Sequence, residues 1–538
     1  MSRRWISASS VLTFAMIFLF ANSISGAVAA NSPVPKKGAA CTKVGMRKGD
    51  SKGFEYECQK VGKKLVWSAG HKIEGNQNGN GNGSGNQGNN QTSFALGVLG
   101  ANCSKNGVVA WNGQMTATCK NGKVSYTLAS DVPPTPEGGY TSRPSWYPTL
   151  NQMFGQGSTE PTCAPASIKF TQPVLPLDQL APSVPYGLTV GGHVTPIDHA
   201  YLGLKTLYLT DADRANAEYV PITSPADGTI IEVGSLGSPD SHRVVISHGC
   251  NVYSVYMVVN RVSGVLASVA QEVDSKGYLP VQIKIKAGQE FGRQRDNMLD
   301  FNVFSGATWL SGFQNVQSYL SAETWKPYTA DFLPFFIPSI RSVMENQMQR
   351  TSAPRSGKID YDVAGMASGN WFLAGTNGYS GVPNSLFASA TQMINGGPPA
   401  GKKDGSWSHL SIAPHQVDLN AWVFSTGWWK DSSGDPMQTL LVVDPAQPAP
   451  DKLTAASGMV VYALSQLSFV DPPGTPARQQ GGRAPFPIGY TLSQEGYRMG
   501  VVALQVNSDK SLSVEINTTM TSPKEFLAFT AAKRTYIR

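Results

Sequence analysis

Four of the seven histidines, His193, His199, His242 and His248, fall between Gly191 and Phe304. Imidazoles and carboxylates are the groups that hold zinc and move protons near neutral pH, so their spacing is the first thing to read. His193 is followed by Val194-Thr195-Pro196-Ile197 and then by Asp198-His199. His248 precedes Gly249, and Tyr256 stands eight residues after His248. Asp300 lies in Met298-Leu299-Asp300-Phe301-Asn302, a few residues after Gly288-Gln289-Glu290-Phe291-Gly292. Three protein ligands leave one position open for water, whose pKa the metal lowers.

The order of these segments resembles the lysostaphin-like zinc endopeptidases, which cut peptide cross-links in bacterial cell walls. The resemblance covers about a fifth of the chain. It implies a central β domain of the duplicated-hybrid-motif type. In that family zinc is held by an H-x-x-x-D motif and the second His of H-x-H, and further histidines of H-x-H and Y-x-H manage protons. His193 matches the first ligand, but four residues separate it from Asp198, one more than the family pattern. His248 and Tyr256 match family positions and are candidate catalytic remnants. The catalytic His of Y-x-H is replaced by Val258, and H-L-H-F-E by Met298-Leu299-Asp300-Phe301-Asn302. Strand alternation puts Leu299 and Phe301 on one face, and Met298, Asp300 and Asn302 on the other, toward the cleft. The apolar side of the motif is kept and the chemical side is not; against the family pattern, a ligand set of His193, Asp198 and Asp300, with His199 as the alternative to Asp198, is still chemically possible for zinc. Losing one general acid–base group costs on the order of 10²–10⁴-fold, and here two are missing. No catalytic residue is therefore assigned. His193 and His199 serve equally well as strand-end caps, Asp300 as a partner of Arg293 or Arg295, and His248 as a satisfied core residue.

The rest of the chain must position this stretch. With 538 residues, it is too long for one core. The 55 glycines and 36 prolines favour strands and turns over long helices. A net charge of +7 suits loose attraction to an anionic wall or membrane surface and does not indicate nucleic acid. Arg3 and Arg4, the apolar run Val11 to Ala21, and the small residues Ala27 to Ala30 read as a secretory signal over 1–30, too short to span a bilayer. Export makes the six cysteines legible as disulfides, since no Cys-x-x-Cys suggests a zinc site.

Two small Cys-bounded units repeat, at 31–74 and 94–131. Gly38-Ala39-Ala40-Cys41 is echoed by Gly100-Ala101-Asn102-Cys103, each reaching a second cysteine at Cys58 or Cys119 and then a Gly-Lys pair. The repeat implies Cys41–Cys58 and Cys103–Cys119, leaving Cys163 with Cys250. Segments 75–93, nearly all Gly, Asn, Gln and Ser, and 132–162, rich in Pro and Gly, read as linkers. The central domain then runs over 163–349, with Ala200 to Thr223 as an insert able to lie over the cleft. Short alternating segments over 350–538 predict a separate β sandwich or barrel, with a hairpin loop at Asn507-Ser508-Asp509-Lys510. His409 and His415 fit no metal spacing.

The expectation is thus a mainly β, multidomain, secreted or cell-surface protein. Its central domain reads as a non-catalytic, peptidase-like body without cofactor, serving binding or scaffolding at the cell surface. The alternatives are a zinc endopeptidase with an altered ligand set, acting on peptidoglycan or peptides, and a wall-polymer or carbohydrate binder acting through the N-terminal modules. The expected partners are wall polymer or peptide, with no nucleic acid and no transmembrane segment in the mature chain.

Overall fold

A computed structural model describes residues 39–40, 47–49, 54–61, 64–67, 71–72, 107–111, 115–120 and 123–128, and 135–538 apart from 146, 158–160, 239, 320–322, 377, 382–404 and 476–485. The expected signal at 1–30 and the linker at 75–93 lie outside the described residues, as do Cys41, Cys103 and the side chains of Cys58 and Cys119. The chain forms two compact units, Met1–Asn80 and Gly81–Arg538.

The first unit carries the strands Arg47–Gly49, Phe54–Val61, Lys64–Trp67 and His71–Lys72. The second unit opens with Gly107–Trp111, Met115–Lys120 and Lys123–Leu128. The repeat seen in the sequence reappears in register. Val61 pairs with Lys64, and Lys120 with Lys123.

The body that holds the histidines is a seven-stranded antiparallel sheet with a three-stranded companion. Its strands are β1 (Leu180–Val184), β2 (Ala200–Leu204), β3 (Val220–Thr223), β4 (Gly228–Ser238) and β5 (Ser241–Gly249). They continue as β6 (Val252–Val259), β7 (Arg261–Val262), β8 (Tyr278–Ile285), β9 (Glu290–Gln294) and β10 (Leu299–Ser305). The large sheet runs β8-β4-β5-β6-β10-β2-β1 and the small one β3-β9-β7. Tyr253 packs on Phe154 while Tyr256 packs on Phe291 and Phe301, so β6 is covered on both sides. A central strand in a two-sided core loses its polar alternation.

Two sequence expectations are corrected here. The segment 132–162 is not a free tether over its described part. Helix α1 (Leu150–Met153) is closed by a capping box from Thr149 and Gln152, and Tyr147, Leu150, Met153 and Phe154 enter the central core. Pro and Gly frequency hid four buried apolar side chains. Nor is Ala200 to Thr223 a lid-like insert: its first part is β2, paired with β10 in the middle of the sheet.

The C-terminal portion is an eight-stranded antiparallel closed barrel. Its strands are β11 (Gly369–Leu373), β12 (His409–Pro414), β13 (Trp422–Lys430) and β14 (Pro436–Val442). They are followed by β15 (Val460–Ser465), β16 (Arg498–Val506), β17 (Leu512–Asn517) and β18 (Arg534–Ile537), with β18 pairing back to β11. The predicted loop at Asn507 joins β16 to β17, where Lys510 donates to Asn507 and Asn507 to Ser511. Closure removes the exposed edges an open sheet would present. Trp371 points into the barrel core, whereas its neighbour Phe372 packs against the central body.

Candidate functional site

β2 and β10 bring the chemical residues together. Asp300 pairs with Tyr201, and Leu299 with Leu202. Tyr201 and His199 are two residues apart, so His199 and Asp300 share a face. His199 Nε2 lies 3.4 Å from Asp300 Oδ2, and its Nδ1 lies 3.3 Å from Asp198 Oδ1. The second Asp198 oxygen accepts the Trp325 indole N–H at 2.9 Å. All three titratable side chains are buried. Two carboxylates facing the two ring nitrogens favour the imidazolium, in which both nitrogens donate.

The electrostatics agree. Burial alone would lower the His199 pKa, but the Asp300 and Asp198 carboxylates outweigh it and raise it. Burial alone would raise the Asp198 carboxyl. Its bond to His199, together with the Lys326 charge and the Trp325 donor, brings it down to about 2. The Asp300 carboxyl is pushed up by burial to about 7, with His199 opposing and Asp198 reinforcing that rise. Close by, the Lys326 ammonium is buried against the Pro196 carbonyl at 3.1 Å and Glu323 at 3.0 Å.

These residues do not fit a zinc ion. A ligating imidazole must offer a lone pair, and both His199 nitrogens face carboxylates. Both Asp198 oxygens are engaged, and a buried ammonium beside them supplies positive charge that a dication would have to displace. The His193 ring is half-buried and stands edge-on to His199 with centroids 5.9 Å apart. Among the described residues, no three His, Cys, Asp or Glu side chains are arranged to hold a metal ion.

The two candidate remnants lie elsewhere. His248 bonds the Asp227 carbonyl through Nδ1 (3.0 Å) and the Ser254 hydroxyl through Nε2 (2.8 Å), and its ring leans on Phe170. Burial drives its pKa down to about 4, so it is neutral. Tyr256 sits opposite Phe301, whereas Met257 sits opposite Asp300. Tyr256 therefore faces the hydrophobic layer with Phe291, away from Asp300, and burial pushes its phenol well up. The expected Tyr of a Y-x-H pair is thus a core residue. Val258, at the His position, has φ +59 beside a break in the β5–β6 register. Its carbonyl accepts from Gln294 Nε2 at 3.1 Å. A β-branched residue rarely takes that conformation, so simple alternation misjudges this position.

Other assignments resolve similarly. Arg293 pairs with Glu290 and Arg295 with Asp296, so neither is the partner of Asp300. His242 bridges Val259 and Asp274. Cys163 and Cys250 are disulfide-bonded, with Cα atoms 5.0 Å apart. Cys250 and Asn251 form the two-residue β5–β6 turn, both at positive φ. His409 bonds the Tyr379 carbonyl, and His415 Nδ1 faces the amides of Val417 and Asp418.

Sequence reasoning missed Glu323, Trp325 and Lys326, which lie at and just before the 3₁₀ turn Lys326–Tyr328, more than a hundred residues from Asp198 with no motif to mark them. It also missed that the barrel portion packs on this site. Tyr379 shares a 3.4 Å hydroxyl contact with Thr195, and Gln438 donates to the Gly191 carbonyl at 3.2 Å. Barrel side chains thus cover the loop that carries His193 and Asp198.

No family model matches the chain, and no curated protein matches it. Among solved structures, the NMR solution structure of lysostaphin is similar at 10% identity, with 64% of this chain and 90% of that chain covered and a TM-score of 0.18. That is a weak likeness, and the chemistry above is argued from the side chains alone.

Proposed function

We propose that this chain is an exported, non-catalytic protein whose central body descends from a lysostaphin-like peptidase and now serves binding or scaffolding at the cell surface. One observation carries the proposal: His199 spends both ring nitrogens on Asp198 and Asp300. The imidazolium and the Lys326 ammonium stand where a dication would compensate the carboxylates. Met298 and Val258 hold no proton to transfer, His248 is neutral and engaged, and Tyr256 faces away. The leader-like Arg3 to Ala30 supports export.

The test is a cleavage assay of the full chain on cross-linked wall peptide, with and without added zinc, alongside metal analysis. No turnover and no stoichiometric zinc are expected. Turnover that disappears in His193→Ala or His199→Ala overturns the proposal in favour of an altered zinc endopeptidase.

The repeated hairpins at Val61–Lys64 and Lys120–Lys123 favour a contribution from the N-terminal modules to wall-polymer binding. Retention of the full chain on isolated wall material should fall when 41–119 is deleted. Equal retention removes that part.

A further inference from the structure

We propose that the segment between β17 and β18 is a docking strap for an anionic lipid surface, with Leu527 entering the acyl boundary and Lys524 and Lys533 meeting the headgroups. This rests on the barrel and is independent of whether the central site is catalytic.

Leu527 is 85% exposed, the highest value among the large apolar side chains described. A single exposed leucine is ordinary. This one is held out by a braced backbone. On one side, Ser522 and Glu525 close a capping box, and the Glu525 carboxylate also accepts from Thr521. Phe526, the immediate neighbour, is buried against Val461, Val501 and Ala503 on the outside of the barrel. On the other side, Thr530 is fixed to the buried Glu515 by two bonds of 2.7 Å. Between these anchors Leu527 and Ala528 are exposed and Phe529 is half-buried; beyond Thr530, Ala531 and Ala532 are exposed. The flexible explanation for exposure, a frayed loop, does not describe a segment pinned on both flanks.

The rim is basic. Lys524 and Lys533 are exposed, and neither has a carboxylate partner among the described residues. Lys533 lies over the Phe529 ring at 5.8 Å. Glu525, the acid within the strap, is exposed, with one carboxylate oxygen accepting from Thr521 and Ser522. An apolar centre with unpaired cations around it matches the interfacial mode of membrane binding, in which apolar burial and attraction to anionic headgroups add. A hydrophilic polyanion would use the lysines and leave Leu527 without a role.

The experiment is flotation of the full chain with phosphatidylcholine vesicles with and without phosphatidylglycerol. The expected result is co-flotation with the anionic vesicles that weakens with salt. Leu527→Asp should lower partition about tenfold or more, and Lys524→Glu with Lys533→Glu about fivefold per lysine. Both variants should keep the wild-type thermal transition, because neither site is buried. Wild-type-like flotation of Leu527→Asp overturns the proposal. If only the lysine variant loses binding, the contact is a hydrophilic polyanion and the lipid reading fails. Absence of wild-type flotation with either vesicle also overturns it.

Discussion

Removing the His199 ring would leave Asp198 and Asp300 in a buried site without the cation between them. Breaking a buried charged network by deleting one partner costs about 3–5 kcal/mol. His199→Ala should therefore lower the unfolding midpoint strongly, with added zinc restoring none of it; full rescue by zinc in a thermal-shift experiment would contradict the assignment. Two other histidines set the acid limb of stability. His248 and His415 are held neutral by burial, with pKa values near 4 and 3 against an unfolded value of about 6.5. The lowered folded value means the unfolded chain takes the proton more readily. Their contribution is fully present above about pH 6.5 and is lost as pH falls toward 4 and then 3. For His248 the loss reaches about 3 kcal/mol. Asp300, with its folded value raised to about 7, works in the opposite sense between about 4 and 7. The two are separated by comparing unfolding midpoints against pH for wild type and His248→Gln, whose acid limb should be shallower.

At the level of elements, α1 and the residues around it decide whether 135–154 is tether or core. Phe154 stacks on Tyr253 at 4.5 Å and meets Phe304 at 6.0 Å. Phe154→Ala should destabilise the central body by about 3–5 kcal/mol, read from its urea transition. A change below about 0.5 kcal/mol, as for a surface site, would show the segment to be dispensable. The β16–β17 hairpin offers a cleaner test. Lys510 is exposed at φ +66, a conformation that costs a residue with a Cβ about 1–2 kcal/mol relative to glycine. Its ion pair with Glu137 is exposed on both sides and worth little. Lys510→Gly should stabilise the barrel by about 0.5–1 kcal/mol, measured by urea denaturation. This hairpin was legible because Asn, Ser and Asp between apolar strands announce a turn. The 135–154 core contribution was not, because its few apolar residues are scattered among Pro and Gly without a period.

On the scale of the whole molecule, the central body and the barrel share a packed boundary. Asn370 of β11 donates to Tyr319 at 3.0 Å, Phe372 packs edge-on to Tyr319, and Tyr379 stacks near His409 while reaching Thr195. The barrel thereby holds the loop that carries His193 and Asp198. Tyr379→Ala should raise amide hydrogen exchange over 191–198 while leaving the β16–β17 strands protected. Unchanged exchange there would mean the loop is stable without the barrel.

Residue identity and period were enough to assign a mainly β chain, a barrel or sandwich at the C-terminus and the Cys163–Cys250 pair. They also marked Asp198, His199 and Asp300 as the residues to watch. These follow from local rules: alternation, turn chemistry and cysteine count act over a few residues or through elimination. What the tertiary structure alone decided is the state of that trio. Asp198 is balanced by the Trp325 N–H and the Lys326 ammonium, far away in sequence, and by an imidazole both of whose nitrogens are claimed. Likewise, Val258 takes a positive φ beside a break in the β5–β6 register. Such couplings depend on which distant segments pack together, and a linear pattern does not record that.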